Sequence, residues 1–198
     1  MPVWTYENKT IYHIHIPKTA GSILAYSIQQ TNQKVKVTHK GTLKANQIVT
    51  PQHEDYKTLS KKFELNKNNS FTVIREPWER TLSAYHWNFK KPNILATALK
   101  NILKTVDENI HHKDNHFMPQ YNFISDTINV FTFNNLIKLE KWIQDNFIEN
   151  FKILKSKSMG KVLNYTKPKK EDILDKETID LWNKLYNEDV KLWKKYNQ

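Results

Sequence analysis

The sequence predicts an α/β fold, a single domain over residues 1–198 with a mostly parallel central sheet flanked by helices. Three observations carry this. Strand-like runs alternate with runs of helical periodicity along the chain. Ser70-Phe71-Thr72-Val73-Ile74 is an apolar, β-branched run suited to a strand buried on both faces. A length of 198 residues at 38% hydrophobic, with six Trp, is enough for one sizeable core.

Residues 10–16 read as a strand, with Tyr12, Ile14 and Ile16 on one face and Ile11, His13 and His15 on the other, and Pro17 stops it. A helix follows over 21–30, where Ile23, Leu24, Ser27 and Ile28 fall near helical spacing. Val35 and Val37 alternate in a short strand, 34–38, and a helix is expected over 56–63 before a turn at Lys67-Asn68-Asn69. After the strand 70–74, Pro77 suits a first helical position and the helix continues to 89. Leu95, Ala98, Leu99, Ile102 and Leu103 form one stripe of a helix over 94–106. The His-rich stretch 109–120 is loop-like, 127–133 reads as a strand, 135–147 as a helix, and 155–170 as basic and irregular. Ile179, Trp182, Leu185, Tyr186, Val190 and Trp193 mark a last helix, 176–196, behind an Asp175 cap. In such sheets ligands gather beyond the carboxyl ends of the strands.

Composition narrows the function classes. Basic side chains outnumber acidic ones 31 to 20, for a net charge of +11, which calls for an anionic partner. Only Arg75 and Arg80 are Arg, five positions apart, so the forked donor set is concentrated in one segment. With no Cys there is no disulfide framework, zinc-thiolate site or Cys nucleophile. No window approaches a membrane span, and the first residues, Met-Pro-Val-Trp-Thr-Tyr-Glu, do not form a signal core, so a cytoplasmic location is expected.

Two strand-to-helix turns carry the chemistry. In Pro17-Lys18-Thr19-Ala20-Gly21-Ser22, small residues run into a helix N-terminus, offering backbone N–H groups to an anion, with a charge from Lys18 and hydroxyls from Thr19 and Ser22. Lys precedes the Gly and the loop is short, so the Walker pattern of a nucleotide kinase or NTPase fails. In the second turn, Arg75-Glu76-Pro77-Trp78-Glu79-Arg80-Thr81-Leu82-Ser83-Ala84-Tyr85, Arg75 leaves the end of a buried strand and Arg80 and Ser83 share a helix face. Arg offers a bidentate fork to phosphate and Ser a further donor; the alternative for Arg80 is a structural ion pair.

Both turns, in this order, resemble the sulfotransferase superfamily, in particular its membrane-associated and carbohydrate type. That family carries a Pro-Lys-Thr-Ala/Gly-Gly-Thr-Ser-like loop and a later Arg-Asp/Asn-Pro-x-x-Arg-x-x-Ser-x-Tyr segment. The resemblance implies a P-loop-NTPase-like sulfotransferase fold and the donor 3′-phosphoadenosine 5′-phosphosulfate, with no metal. Lys18, Thr19, Ala20, Gly21 and Ser22 would cradle the 5′-phosphosulfate, Arg75 and Ser83 the 3′-phosphate, and the segment with Asn164 and Lys167 would close over the nucleotide. Two positions depart from the pattern: Ile23 replaces a second hydroxyl, and Glu76, a poorer cap than Asp or Asn, implies a looser second turn.

The implied reaction is in-line sulfuryl transfer to a hydroxyl, on a carbohydrate by preference, with a small metabolite or tyrosyl peptide as alternative acceptors. Lys18 suits stabilisation of the leaving group, and a general base must take the acceptor proton. His39, at the carboxyl edge of the sheet, is the first choice, with His53 and Glu54 next; His15 is expected to pack beneath the loop. His116 and Gln120 are candidate acceptor contacts. His111, His112, Asp114 and His116 match no common metal-ligand spacing. A basic nucleic-acid-binding module without catalysis is the competing class. It needs Lys and aromatics interleaved on one surface, whereas these Lys are dispersed, and no specific nucleic-acid partner is expected.

Overall fold

A computed structural model describes residues 1–45, 47–89, 94–154 and 168–198. Five strands, β1 (Val3–Tyr6), β2 (Lys9–Ile14), β3 (Lys36–Thr38), β4 (Ser70–Ile74) and β5 (Asn129–Thr132), form one sheet in the order β3-β1-β2-β4-β5. Among the described residues the α-helices are α1 (Gly21–Thr31), α2 (Tyr56–Leu59), α3 (Pro77–Phe89), α4 (Leu95–Glu108), α5 (Leu136–Asn146) and α6 (Lys176–Tyr196).

The β2–β4 and β4–β5 pairings are parallel; β1 pairs antiparallel with both β2 and β3. Being antiparallel to β1, β3 therefore runs with β2, β4 and β5. The sheet is mixed in its pairing, yet only β1 opposes the common direction. The carboxyl ends of β2, β3 and β4 thus open on one side, where the turns after β2 and β4 are neighbours.

Strand β1 was not expected. Val3-Trp4-Thr5-Tyr6 is too short to declare itself by alternation, but Trp4 is fully buried and the segment pairs with β2 from Val3↔Tyr12 to Tyr6↔Lys9. Four expected elements were too long at their ends. Strand β2 ends at Ile14, ahead of the turn over 17–20 that leads into α1, the strands expected over 34–38 and 127–133 are β3 and β5, and the helix expected over 56–63 is the single turn α2. Asp55 caps α2, its carboxylate accepting from Thr58 N at 2.7 Å, and Asp175 caps α6 as the sequence predicts.

The alternation in β2 sends its faces to different cores. Ile11 joins Trp4, Phe71, Val73, Leu24 and Leu139 under α1 and α5, while Ile14 and Ile16 join Val3, Leu59, Ile74 and Phe123 on the other face. A third cluster, around Tyr85, Leu103, Trp182 and Tyr186, ties α3 and α4 to α6. Among the described residues, no helix is long and apolar enough to cross a membrane.

Candidate active site

The two turns face each other across a cleft of about 720 Å³. Its walls include Lys18, Ala20, Gly21, Ser22, Arg75, Ser83, His53, Asp114 and His116. Loops after β2 and β4 supply the first part of this set, α3 supplies Ser83, and two irregular segments supply the rest.

The first turn is locked from below. A Cβ on Gly21 would fall inside the His15 ring, so only glycine admits this packing. His15 therefore lies beneath the turn, as the sequence suggests, and burial together with its imidazole neighbours holds it well below the ordinary histidine range. Lys18 and Ala20 adopt left-handed backbone conformations, φ 71° and 85°, and no side chain caps α1. First-turn N–H groups are left for an anion. The Thr19 hydroxyl is not available to a ligand: Thr19 is buried and donates to Ile16 O at 2.7 Å, so it shapes the turn. The Lys18 ammonium lies 4.2 Å above the Trp87 ring, and burial, then the nearby Arg75 charge, lowers its pKa.

The two arginines divide their work. Arg75 is buried yet loosely engaged, its Nε donating to Glu79 and its Nη1 to Lys18 O, each at 3.4 Å. Its Nη2 has no partner among the described residues, and the guanidinium lies 4.7 Å over the Phe133 ring. Arg80 is fully engaged: Nε donates to Pro17 O at 3.0 Å, Nη1 to Met118 O at 2.9 Å, and Nη2 to His116 O at 3.1 Å and Asn115 O at 3.4 Å. It fastens the Lys18 turn to the segment that carries His116. Glu76 does not loosen its turn, because its carboxylate accepts from Glu79 N at 2.6 Å and caps α3.

Gln120, expected as an acceptor contact, does not line the cleft. It is buried, its Oε1 accepts from Arg75 N and its Nε2 donates to Arg75 O, both at 2.9 Å, so the carboxamide clamps the Arg75 backbone. His39 follows β3 on the expected side of the sheet but does not line the cleft. Its Nε2 meets Glu54 Oε2 at 2.9 Å and its ring packs edge-on to Phe63. Burial pushes the Glu54 carboxyl up, but Lys62 and His39 outweigh it and hold it below its ordinary value. Asn164 and Lys167 lie outside the described residues.

At the cleft wall stands a pair that sequence reasoning did not join. His53 Nδ1 lies 2.6 Å from Asp114 Oδ2, and Thr50 donates to the same carboxylate through N at 2.7 Å and Oγ1 at 3.0 Å. Burial raises the Asp114 carboxyl, but the His53 and Thr50 contacts prevail and lower it overall. Lys113, Asp114 and Asn115 are three successive left-handed residues, a strained turn for non-glycine side chains. Asn115 Nδ2 anchors it by donating to His53 O at 2.8 Å. Trp87, 63% exposed, was also missed. It lies one helical turn beyond Ser83, an i, i+4 spacing that could have revealed it. No group of three His, Cys, Asp or Glu among the described residues could hold a metal.

A family model described as Sulfotransferase family matches residues 1–197. No curated protein matches this chain, and no solved structure does.

Proposed function

We propose a reaction for this chain from one premise: it belongs to the sulfotransferase family and is an enzyme of sulfuryl transfer. The proposed donor is 3′-phosphoadenosine 5′-phosphosulfate, which supplies an activated sulfuryl group on a phosphate leaving group. One observation carries the reading. Lys18, Ser22, the open N-terminus of α1, Arg75 and Ser83 line a single cleft, two cations and two hydroxyls suited to a nucleotide with phosphate at both ends. Lys18, Ala20, Gly21 and Ser22 hold the 5′ end, with Thr19 shaping that turn, and Arg75 and Ser83 hold the 3′-phosphate. Asn164 and Lys167 remain proposed nucleotide contacts.

Lys18 offsets the charge that develops on the leaving phosphate oxygen. The base is His53 in preference to His39. With Nδ1–H donated to Asp114, its Nε2 keeps a lone pair for the proton of an acceptor hydroxyl, and Asp114 stabilises the imidazolium that forms. The proposed acceptor is a carbohydrate: the remaining wall is largely apolar, with Val37, Trp87 and Phe133 among its residues, and Gln29, Lys40, Gln52 and His116 set hydrogen-bonding groups into it, a mixture suited to the faces and hydroxyls of a sugar.

The test is thermal stabilisation by 3′-phosphoadenosine 5′-phosphate against ADP and an oligonucleotide. The first alone is expected to stabilise, by about 2.7 kcal/mol at a hundredfold excess over Kd; equal responses to all three would sink the reading. Lys18→Ala is expected to abolish turnover while binding the nucleotide, and Arg75→Ala to lose nucleotide binding. Loss of turnover in His53→Ala with turnover kept in His39→Ala assigns the base to His53, and the reverse returns it to His39. A screen of sugars, small metabolites and tyrosyl peptides with labelled donor identifies the acceptor.

A further inference from the structure

His53 and His116 stand 5.3 Å apart, centroid to centroid, at the same cleft wall, and their partners fix opposite tautomers. Asn88, near the end of α3, places Nδ2 2.8 Å from Ala84 O and 3.1 Å from His116 Nδ1. A backbone carbonyl only accepts, so the Asn88 atom facing it is the amide nitrogen, and the second N–H of that nitrogen points to His116 Nδ1. His116 Nδ1 is therefore an acceptor. Burial foremost lowers the His116 pKa to about 3, so the ring is neutral near pH 7 and its single proton is on Nε2. His53 is the mirror case, because the Asp114 carboxylate only accepts and draws the proton to Nδ1.

One imidazole thus presents a lone pair and the other an N–H. The two sides of the transfer need these two things. An acceptor hydroxyl must give up a proton, whereas the oxygens of the sulfuryl group can only accept hydrogen bonds. We propose that His116 is a catalytic residue, a permanent hydrogen-bond donor from Nε2 to an oxygen of the group in transfer, held in that tautomer by Asn88. The proposal rests on the sulfotransferase reading of the cleft. In the step, the bond from the acceptor oxygen to sulfur forms and the bond from sulfur to the leaving phosphate oxygen breaks. The acceptor proton passes to His53 Nε2, and Lys18 faces the new phosphate charge. His116 keeps its proton throughout. Arg80 fixes the place of this donor by binding the His116 carbonyl.

The tautomer is read directly from long-range 1H–15N correlations of the imidazole rings in the full chain, with His116 assigned by its loss in His116→Gln. A proton on Nε2 and a bare Nδ1 are expected; a proton on Nδ1, or exchange between the two nitrogens, overturns the assignment. In turnover, His116→Ala is expected to lower kcat about 100-fold. His116→Gln, which restores an N–H donor, should recover at least about a tenth of the activity, and donor KM should stay near the wild-type value in both. Full turnover in His116→Ala, or no recovery in His116→Gln, refutes the role. Asn88→Leu offers a second route if His116→Ala does not fold: release of Nδ1 should mix the tautomers and lower kcat, and unchanged tautomer and kcat count against the proposal. Failure of the wild-type chain to bind 3′-phosphoadenosine 5′-phosphate defeats the sulfotransferase reading instead, a result the ring spectrum does not depend on.

Discussion

Arg80 donates to carbonyls of Pro17, Asn115, His116 and Met118, while Arg75, five residues earlier, has two long contacts of 3.4 Å among the described residues. The difference decides how each tolerates lysine. At Arg80, a single ammonium cannot reach carbonyls that surround a planar fork, and buried acceptors are left unpaired. Arg80→Lys is therefore expected to destabilise the fold by about 3 kcal/mol, measured by denaturant titration, with Arg75→Lys near wild type in the same assay. An Arg80→Lys variant of unchanged stability would contradict the fastening role. Proximity in sequence made these two residues look like one phosphate-binding unit. Their separation follows from burial and from carbonyls 35 or more positions away, which no local pattern encodes.

Helix α6 acts on the cleft without lining it. Asp189 accepts from Gln120 N at 2.7 Å and Tyr121 N at 2.9 Å, and Gln120 in turn clamps the Arg75 backbone. Burial pushes the Asp189 carboxyl up to about 6, despite its backbone donors and Arg80. A carboxyl raised on folding gives its stability below its unfolded value near 4 and loses it as pH rises through about 6. Asp189→Asn lacks that loss, so its melting temperature should gain on the wild type between pH 4 and pH 7, by about 5 °C; a pH-independent difference would contradict this. At this scale the sequence was most legible where propensity and packing agree. The apolar run of β4, Pro77 at the start of α3 and the Asp175 cap on α6 are all where the pattern puts them. Short β1 and the one-turn α2 were harder, since both owe their form to partners in the sheet and loops. The candidate site divides in the same way. Lys18, Ser22, Arg75 and Ser83 lie in two contiguous motifs, whereas the His53–Asp114 pair joins irregular segments 61 positions apart.

Across the whole molecule, His13, His15, His53 and His116 form a column from the sheet core to the cleft, with ring centroids 5.2, 5.0 and 5.3 Å apart. His13 is fully buried, stacked on Phe71 at 4.8 Å, and neither ring nitrogen has a hydrogen-bond partner among the described residues. Burial lowers His13 and His116 to about 3 and His15 well below its ordinary value. An imidazole depressed on folding gives its stability above the unfolded value of 6.5 and loses it as pH falls. Each contributes up to about 1.4 kcal/mol per pH unit of loss, and three of them outweigh the opposite slope of Asp189. The protein should therefore lose stability steadily from pH 6.5 toward pH 4, and His13→Leu should soften that slope in acid melting curves; an unchanged slope would exclude His13 as a contributor. The sheet also sets an order of assembly. Strands β1 and β2 are joined by Glu7-Asn8 alone, with Glu7 at φ 52°, a hairpin that closes on a timescale of about 1–10 μs. Strand β4 arrives roughly 60 residues later, about 3–12 s of synthesis at ribosomal speed. For that interval the inner edge of β2 is bare and the turn bearing Lys18 has no opposite wall, so a chain halted before β4 holds half a cleft and an open strand edge for any passing neighbour.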